Sequence, residues 1–379
     1  MFDKIRSFFK DNKDVVLLFL VSRLLFAAIL LLTQSSYGKV LGLFDADHYR
    51  YIAANGYVFK YMTSFFPVIP MLIRFTGDIG LVIVNHVAFF LSLVFLKKIM
   101  ILMGRSKVCT AALAVCALSP LAYFTSIEYT ESLFFLFTIV VFYIFVTDKN
   151  CILMGIILGL AVMTRNTGSL LFFAVFAGMC YKAWKDKEGR KKRIINIFLC
   201  YVPATIISLI FPVYLQITFG NWKIFVDTQY EYWLKIHSNF FKTIFISLKV
   251  IFTDYYDFHG LSFEILFRIN EVLSLLIIGL SIYLIIREIL LMKNRKAVDI
   301  NSVVAIIYML LFIIVTSNTI RDPLADCPTD SFYRYYVSLF PIFLGISRFQ
   351  ENKIKIAAIV SAAITVITGS LFSLDLFFF

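Results

Sequence analysis

Residues Cys151 to Tyr181 read CILMGIILGLAVMTRNTGSLLFFAVFAGMCY, and this stretch decides how the chain is threaded. It is apolar and about long enough for one tilted membrane crossing. A basic run follows it: Lys182, Lys185, Lys187, Arg190, Lys191, Lys192 and Arg193. Such a run belongs on the cytoplasmic side. Lys97, Lys98, Arg105 and Lys107 mark the same side, and two apolar segments lie between them and Asp148-Lys149, so residue 151 also starts inside. A segment that starts and ends inside crosses an even number of times. Thr164-Arg165-Asn166-Thr167-Gly168 interrupts its middle with an Arg, an Asn and a Gly. The expectation is two short helices meeting at this polar break, which membrane depth tolerates only against protein or a water-filled cavity.

The rest of the chain reads the same way. Of 379 residues, 60% are hydrophobic, 17% aromatic and only 16% charged, which places the chain among polytopic membrane proteins. The net charge of +12 gathers between apolar segments as a topology signal. No basic run is interleaved with base-stacking aromatics in a soluble domain, so nucleic acid is not an expected partner. Cys109, Cys116, Cys151, Cys180, Cys200 and Cys327 show no metal or CxxC spacing and no disulfide framework. The first apolar segment is too long for a signal-peptide core and has no small-residue cleavage site, so it reads as a retained helix.

Lys4, Arg6, Lys10 and Lys13 set the N-terminus inside. Spans are then expected at about 14–33, 79–96, 108–126 and 129–146, in the 151–181 hairpin, and at about 194–217, 264–288, 300–317, 336–348 and 356–374. This is an all-α polytopic bundle of about 10–11 transmembrane helices, with residues 1–379 read as a single integral membrane domain. Three outer segments result: 34–64, 218–262 and 318–335. The second is rich in Tyr, Trp and charge, and its 240–253 part reads as an interfacial amphipathic helix. The third carries Arg321, Asp322, Asp326, Asp330 and Arg334.

Chemistry concentrates in the first outer segment, at Leu43-Phe44-Asp45-Ala46-Asp47-His48-Tyr49. Asp45 can simply be a helix N-cap, with His48 in the first turn. The alternative is a general base, since attack by a hydroxyl on a sugar's anomeric carbon needs a carboxylate within reach of its proton. Residues 45 and 47 differ by about 200° around a helix. Both face one substrate only if the helix starts between them, so Asp45 and Asp47 stay open as catalytic candidates. His48 is either an acceptor-orienting group or a solvated interface histidine.

Several motifs, in chain order, resemble one family. Phe44-Asp45-Ala46-Asp47-His48-Tyr49, Ile52-Ala53, Gly56-Tyr57, and Phe65-Phe66-Pro67 with Pro70 resemble the first outer loop of the PIG-V-type GPI mannosyltransferases. Those proteins carry Trp-Asp-Ala-acid-His, Ile-Ala, Gly-Tyr and Phe-Phe-Pro at similar spacing. Tyr129-Thr130-Glu131-Ser132-Leu133-Phe134 is similar to their Tyr-Ser-Glu-Ser-Leu-Phe, and Arg165-Asn166-Thr167-Gly168 to their Arg-Ser-Asn-Gly. The likeness spans roughly residues 40–175. Phe44 stands where the family has Trp, and Asn166-Thr167 where it has Ser-Asn.

The resemblance implies the GT-C glycosyltransferase fold, a polyprenyl-phosphate sugar donor, a first-loop Asp as base, and no bound metal. A phosphate leaving group is consistent with that, because a base plus charge-stabilising cations suffices. Glu131 is then a site-supporting carboxylate or a solvated acid at a helix start. Glu128 reads as a plain interface residue. Arg165, with Asn166 at the break, either caps broken-helix carbonyls or pairs with Glu131 or phosphate. Arg334 beside Tyr335 is the leading phosphate ligand, with Arg321 and Arg74 as rivals, and Tyr336 reads as an interface anchor.

The functional expectation is an inverting hexosyltransferase, most simply a mannosyltransferase, multi-pass in the cell membrane. Its active site would face the extracytoplasmic side and act on a glycan, lipid or protein acceptor amid membrane lipids. The rival is a lipid-linked sugar flippase, which predicts repeats and charges deep in spans. A glycan ligase or polymerase predicts a much larger outer loop.

Overall fold

In the computed structural model, residues 2–119, 122–253, 260–323 and 327–376 are described. Asp326, and residues 254–259 of the second outer segment, lie outside them.

The 151–181 stretch folds as two helices, Cys151–Thr164 and Gly168–Lys185, meeting at Arg165-Asn166-Thr167. Arg165 turns to extended backbone and ends the first helix. A Cβ on Gly168 would lie 2.6 Å from the Ala161 carbonyl, so glycine alone lets the two helices close this tightly. At the far end, Lys182 Nζ donates to Asp148 Oδ1 at 2.9 Å and Arg193 reaches Asp148 Oδ2 at 2.9 Å. The segment thus returns to the end where it began, as the basic run requires.

Among the described residues, six helices are long and apolar enough to cross a membrane: Lys13–Leu32, Val68–Leu102, Arg190–Phe219, Ile265–Arg295, Ile300–Ser317 and Glu351–Ser373. The chain is a helical, multi-pass membrane protein. Exposed Leu17, Leu24, Phe198, Ile206 and Ile217 give these helices the apolar outer faces that lipid requires. The helix Glu131–Thr147 runs through the interior, with Phe134, Ile139, Val141 and Phe142 fully buried.

Two expected spans differ from the sequence reading. The span at 108–126 is helical only over Cys109–Ala117 and continues as a 3-10 turn at Ala122–Ser126. Ser119 precedes a proline in the sequence, and that position disfavours helical backbone. The 336–348 span is broken into Phe332–Val337 and Phe340–Ile346. Pro341 opens the second piece, where its missing N–H does no harm, but it cannot continue a helix from upstream. Within Val68–Leu102, Gly77 at φ 72° kinks the chain, so the Pro-punctuated entry and the expected span are two parts of one bent helix.

The second outer segment forms the helices Ile224–Glu231 and Phe240–Phe252. The latter exposes Phe241, Phe245, Leu248 and Phe252 on one face, as an interfacial helix does. Between these helices lies a feature with no signal in the apolar pattern: Lys235–His237 pairs antiparallel with Thr319–Arg321. Three-residue strands are too short for an alternation to register. This ribbon ties the second outer segment to the third.

Candidate active site

The helix Asp45–Asn55 follows Phe44, whose backbone sits at φ 54° and whose side chain makes no capping bond. Asp45 is therefore the first helical residue, and the N-cap reading of its carboxylate is overturned. Left-handed backbone at a phenylalanine is strained. Ser331, at φ 65°, opens the helix Phe332–Val337 in the same way. Tyr129 OH donates to the Leu43 carbonyl at 2.9 Å, fixing the entry to the first of these helices. Asn85 Nδ2 donates to the Ile127 and Tyr129 carbonyls at 2.6 and 3.1 Å, holding the loop that leads to Glu131.

These supports bring together four charges of alternating sign. Arg334 Nη1 lies 2.8 Å from Asp45 Oδ2, and its Nε lies 3.6 Å from Glu131 Oε1. Arg165 Nη1 donates to the same Glu131 oxygen at 3.0 Å. Arg334 and Glu131 are buried, with side chains 5% and 1% exposed. Buried charges persist when paired in this manner. The two contacts of Arg334 are ion pairs, since its buried Nε and Nη1 hydrogens are not aligned on either carboxylate as hydrogen bonds. Aromatic faces complete the setting. Arg165 lies 4.5 Å from the Tyr335 ring centroid, and Arg334 lies 5.4 Å from that of Tyr129 and 5.4 Å from that of Tyr335.

The array borders a cavity of about 430 Å³, of the size that takes a small molecule or head group. Asp45, Arg165, Asn166, Arg334 and Tyr335 all line it, so motifs from three distant parts of the sequence converge. Glu131 stands behind the two arginines as their shared counter-ion.

Other expected residues lie elsewhere. Asp47 is exposed and does not line the cavity; its charge acts on Arg50. The pitch of the helix thus separates the two aspartates. His48 is half-buried among Phe65, Trp233 and Tyr61, with ring centroids 4.6, 5.7 and 6.0 Å away. It does not line the cavity either. Burial pushes its imidazole below the ordinary value, with Asp45 and Asp47 pulling the other way. Arg74 borders a separate apolar groove with Met71, Tyr57 and Phe211. Arg321 lines the cavity and pairs with Asp330 at 3.1 Å.

Two readings are corrected. Tyr336 is a core residue packed on Phe312 at 5.1 Å, not an interface anchor. Glu128 is a buried ion-pair member: Arg50 Nε and Nη2 donate to its two oxygens at 2.7 and 2.7 Å. Burial pushes the Glu128 carboxyl up, and the two Arg50 bonds offset this only in part.

The cavity also recruits Tyr49, the last residue of the first-loop motif, and Gln229, Trp233 and Lys235, which no motif singled out. Trp233 Nε1 and Gln229 Nε2 donate to Ser64 Oγ at 3.0 and 2.8 Å, seating the second outer segment on the first. The aromatic richness of residues 218–262 was the available signal. Among the described residues, no three His, Cys, Asp or Glu side chains are grouped as a metal site would need.

No family model matches the chain, and no curated protein sequence matches it. Two solved structures of one archaeal protein, the Archaeoglobus fulgidus oligosaccharyltransferase, are similar to it. The crystal structure with a disulfide-tethered acceptor peptide containing the NVT sequon matches at 12% identity and TM-score 0.48, covering 98% of this chain and 56% of that one. The complex with Zn and sulfate matches at 12% identity and TM-score 0.40, covering 82% of this chain and 44% of that one. The chain thus spans little more than half the length of the protein it resembles. At TM-scores under 0.5 neither likeness identifies the fold.

Proposed function

We propose that this chain is a glycosyltransferase of GT-C type that moves a hexose from a polyprenyl-phosphate donor to an acceptor hydroxyl. One observation carries this: Asp45 lines the cavity with Oδ2 held by Arg334, while no hydrogen bond within the described residues engages its Oδ1. A carboxylate fixed through one oxygen and open through the other is the arrangement a general base needs.

The acceptor hydroxyl gives its proton to Asp45 as its oxygen attacks the anomeric carbon. The bond from that carbon to the phosphate oxygen breaks, and polyprenyl phosphate leaves with the electron pair. Attack from the opposite face inverts the centre. Arg334, which lines the cavity, sets its positive charge against the phosphate as negative charge develops there. Glu131 and Arg165 shape the wall behind it, and Tyr335 and Asn166 border the substrate. The chemistry calls for no metal, because phosphate already leaves readily beside cations. Mannose as the sugar rests on the PIG-V-type resemblance of residues 40–175. The acceptor is a hydroxyl of a glycan, lipid or protein at the same membrane face.

Orientation follows from charge. The cavity lies at the Glu131 end of the helix Glu131–Thr147, and Asp148, Lys182 and Arg193 cluster at its other end. The positive-inside rule supports a cytoplasmic basic end and a cavity on the outer side of a cell membrane.

The test is a transfer assay with purified protein and polyprenyl-phosphate-linked mannose, glucose and galactose. The expected result is one sugar, mannose, transferred with inversion. Movement of lipid-linked sugar across vesicles without any transfer product would instead favour the flippase.

A further inference from the structure

Lys235 is half-buried, lines the cavity, and has no ion pair among the described residues. Register sets it directly opposite Arg321 across the two-stranded ribbon. Opposed residues of an antiparallel pair project from the same face, and like charges so placed weaken the pairing. Asp330 compensates Arg321 at 3.1 Å. Of the described ion pairs around the cavity, Arg165 and Arg334 meet Glu131 and Asp45, and Arg321 meets Asp330, while none includes Lys235. The Tyr335 phenol senses this field. Burial works to raise its pKa, yet Lys235, Arg334 and Arg165 together hold it below the ordinary tyrosine value.

We propose that Lys235, with Arg321 across the ribbon, forms an anion subsite that grips a phosphoester oxygen in the cavity. A phosphodiester carries a single negative charge, the counter-charge that Lys235 does not find among the described residues. A repulsion within the free protein becomes an attraction when that ligand enters, and it strengthens as the leaving phosphate gains charge. Reading the ligand as the lipid-linked donor rests on the function proposed above. The subsite itself requires only a phosphate oxyanion, whether from a lipid head group or free phosphate.

The experiment is equilibrium binding to the purified full-length protein in nanodiscs, read through tryptophan fluorescence. The probes are farnesyl phosphate, farnesol and inorganic phosphate. Farnesyl phosphate should bind the wild type, with Lys235→Gln weakening it roughly tenfold or more and Lys235→Arg restoring it. Farnesol binding should be unaffected by either change. The thermal midpoint of Lys235→Gln should hold or rise, because the cross-strand repulsion is relieved; a purely structural lysine predicts a fall. If Lys235→Gln binds farnesyl phosphate as the wild type does, the subsite is overturned while the transferase reading stands. If inorganic phosphate binds with the same Lys235 dependence and the prenyl chain adds nothing, the subsite stands and the lipid donor falls. A wild type that binds neither phosphate overturns the subsite.

Discussion

Arg334 combines two roles that a lysine would separate. Its charge neutralises Asp45 and Glu131, and its planar fork offers N–H groups in fixed directions. Lysine keeps the charge and loses the fork. Arg334→Lys should therefore leave the thermal midpoint nearly unchanged and lower turnover about tenfold. Arg334→Ala should lower turnover by about 10²–10³, the loss typical of one transition-state donor. It should also destabilise the protein, since two carboxylates lose their common cation. Turnover of Arg334→Lys equal to wild type would retire the phosphate role and leave Arg334 a structural cation. His48 makes a separate prediction. Its imidazole titrates below 6.5 in the folded state, so the unfolded chain takes up the proton first. Stability should hold above pH 6.5 and fall as the pH drops through that value. Melting curves at pH 7.5 and 5.5 should show a smaller drop for His48→Gln than for wild type.

At the scale of elements, the hairpin and the ribbon show what a sequence does and does not disclose. The hairpin was legible because topology is arithmetic: a basic run after an apolar stretch fixes the side, and the polar residues Arg165 and Asn166 mark the turn. The ribbon was not, because Lys235–His237 carries no periodic signal and its partner lies over eighty residues away. Glu128 was misread for a related reason. Its bidentate partner Arg50 lies 78 positions upstream, and nothing local announces a buried pair. Removing Arg50 would strand Glu128 in the interior. Arg50→Ala should destabilise by about 3 kcal/mol, the low end for breaking a buried pair because Arg50 itself is partly exposed. Thermal unfolding of Arg50→Ala against Arg50→Ala with Glu128→Gln checks it, with the double variant recovering part of the loss. The hairpin is checked by cysteine labelling. Single cysteines at 149 and 187, in an otherwise Cys-free chain, should react from the same side, and opposite sides would overturn the threading of every later segment.

At the scale of the whole molecule, apolar helices with basic ends set one face of the bundle apart from the other, and the loops of the opposite face assemble the cavity. Composition alone indicated a helical membrane bundle, motif order linked Asp45, Glu131 and Arg165, and Arg334 was singled out only as a cation beside Tyr335 in the third outer loop. Which aspartate enters the cavity was not decidable from spacing, because the answer depends on where the helix starts. The strained Phe44, one residue ahead, sets that start at Asp45, which turns Asp45 inward and Asp47 out. The central claim is therefore a claim about one side chain. It is tested most directly by sugar transfer from a polyprenyl-phosphate donor to an acceptor by purified Asp45→Asn and Asp47→Asn proteins of matched thermal stability. The account predicts that Asp45→Asn loses a factor of about 10²–10⁴, the share of a general base, while Asp47→Asn stays within a few-fold of wild type. Full activity of Asp45→Asn, with or without loss in Asp47→Asn, would contradict it.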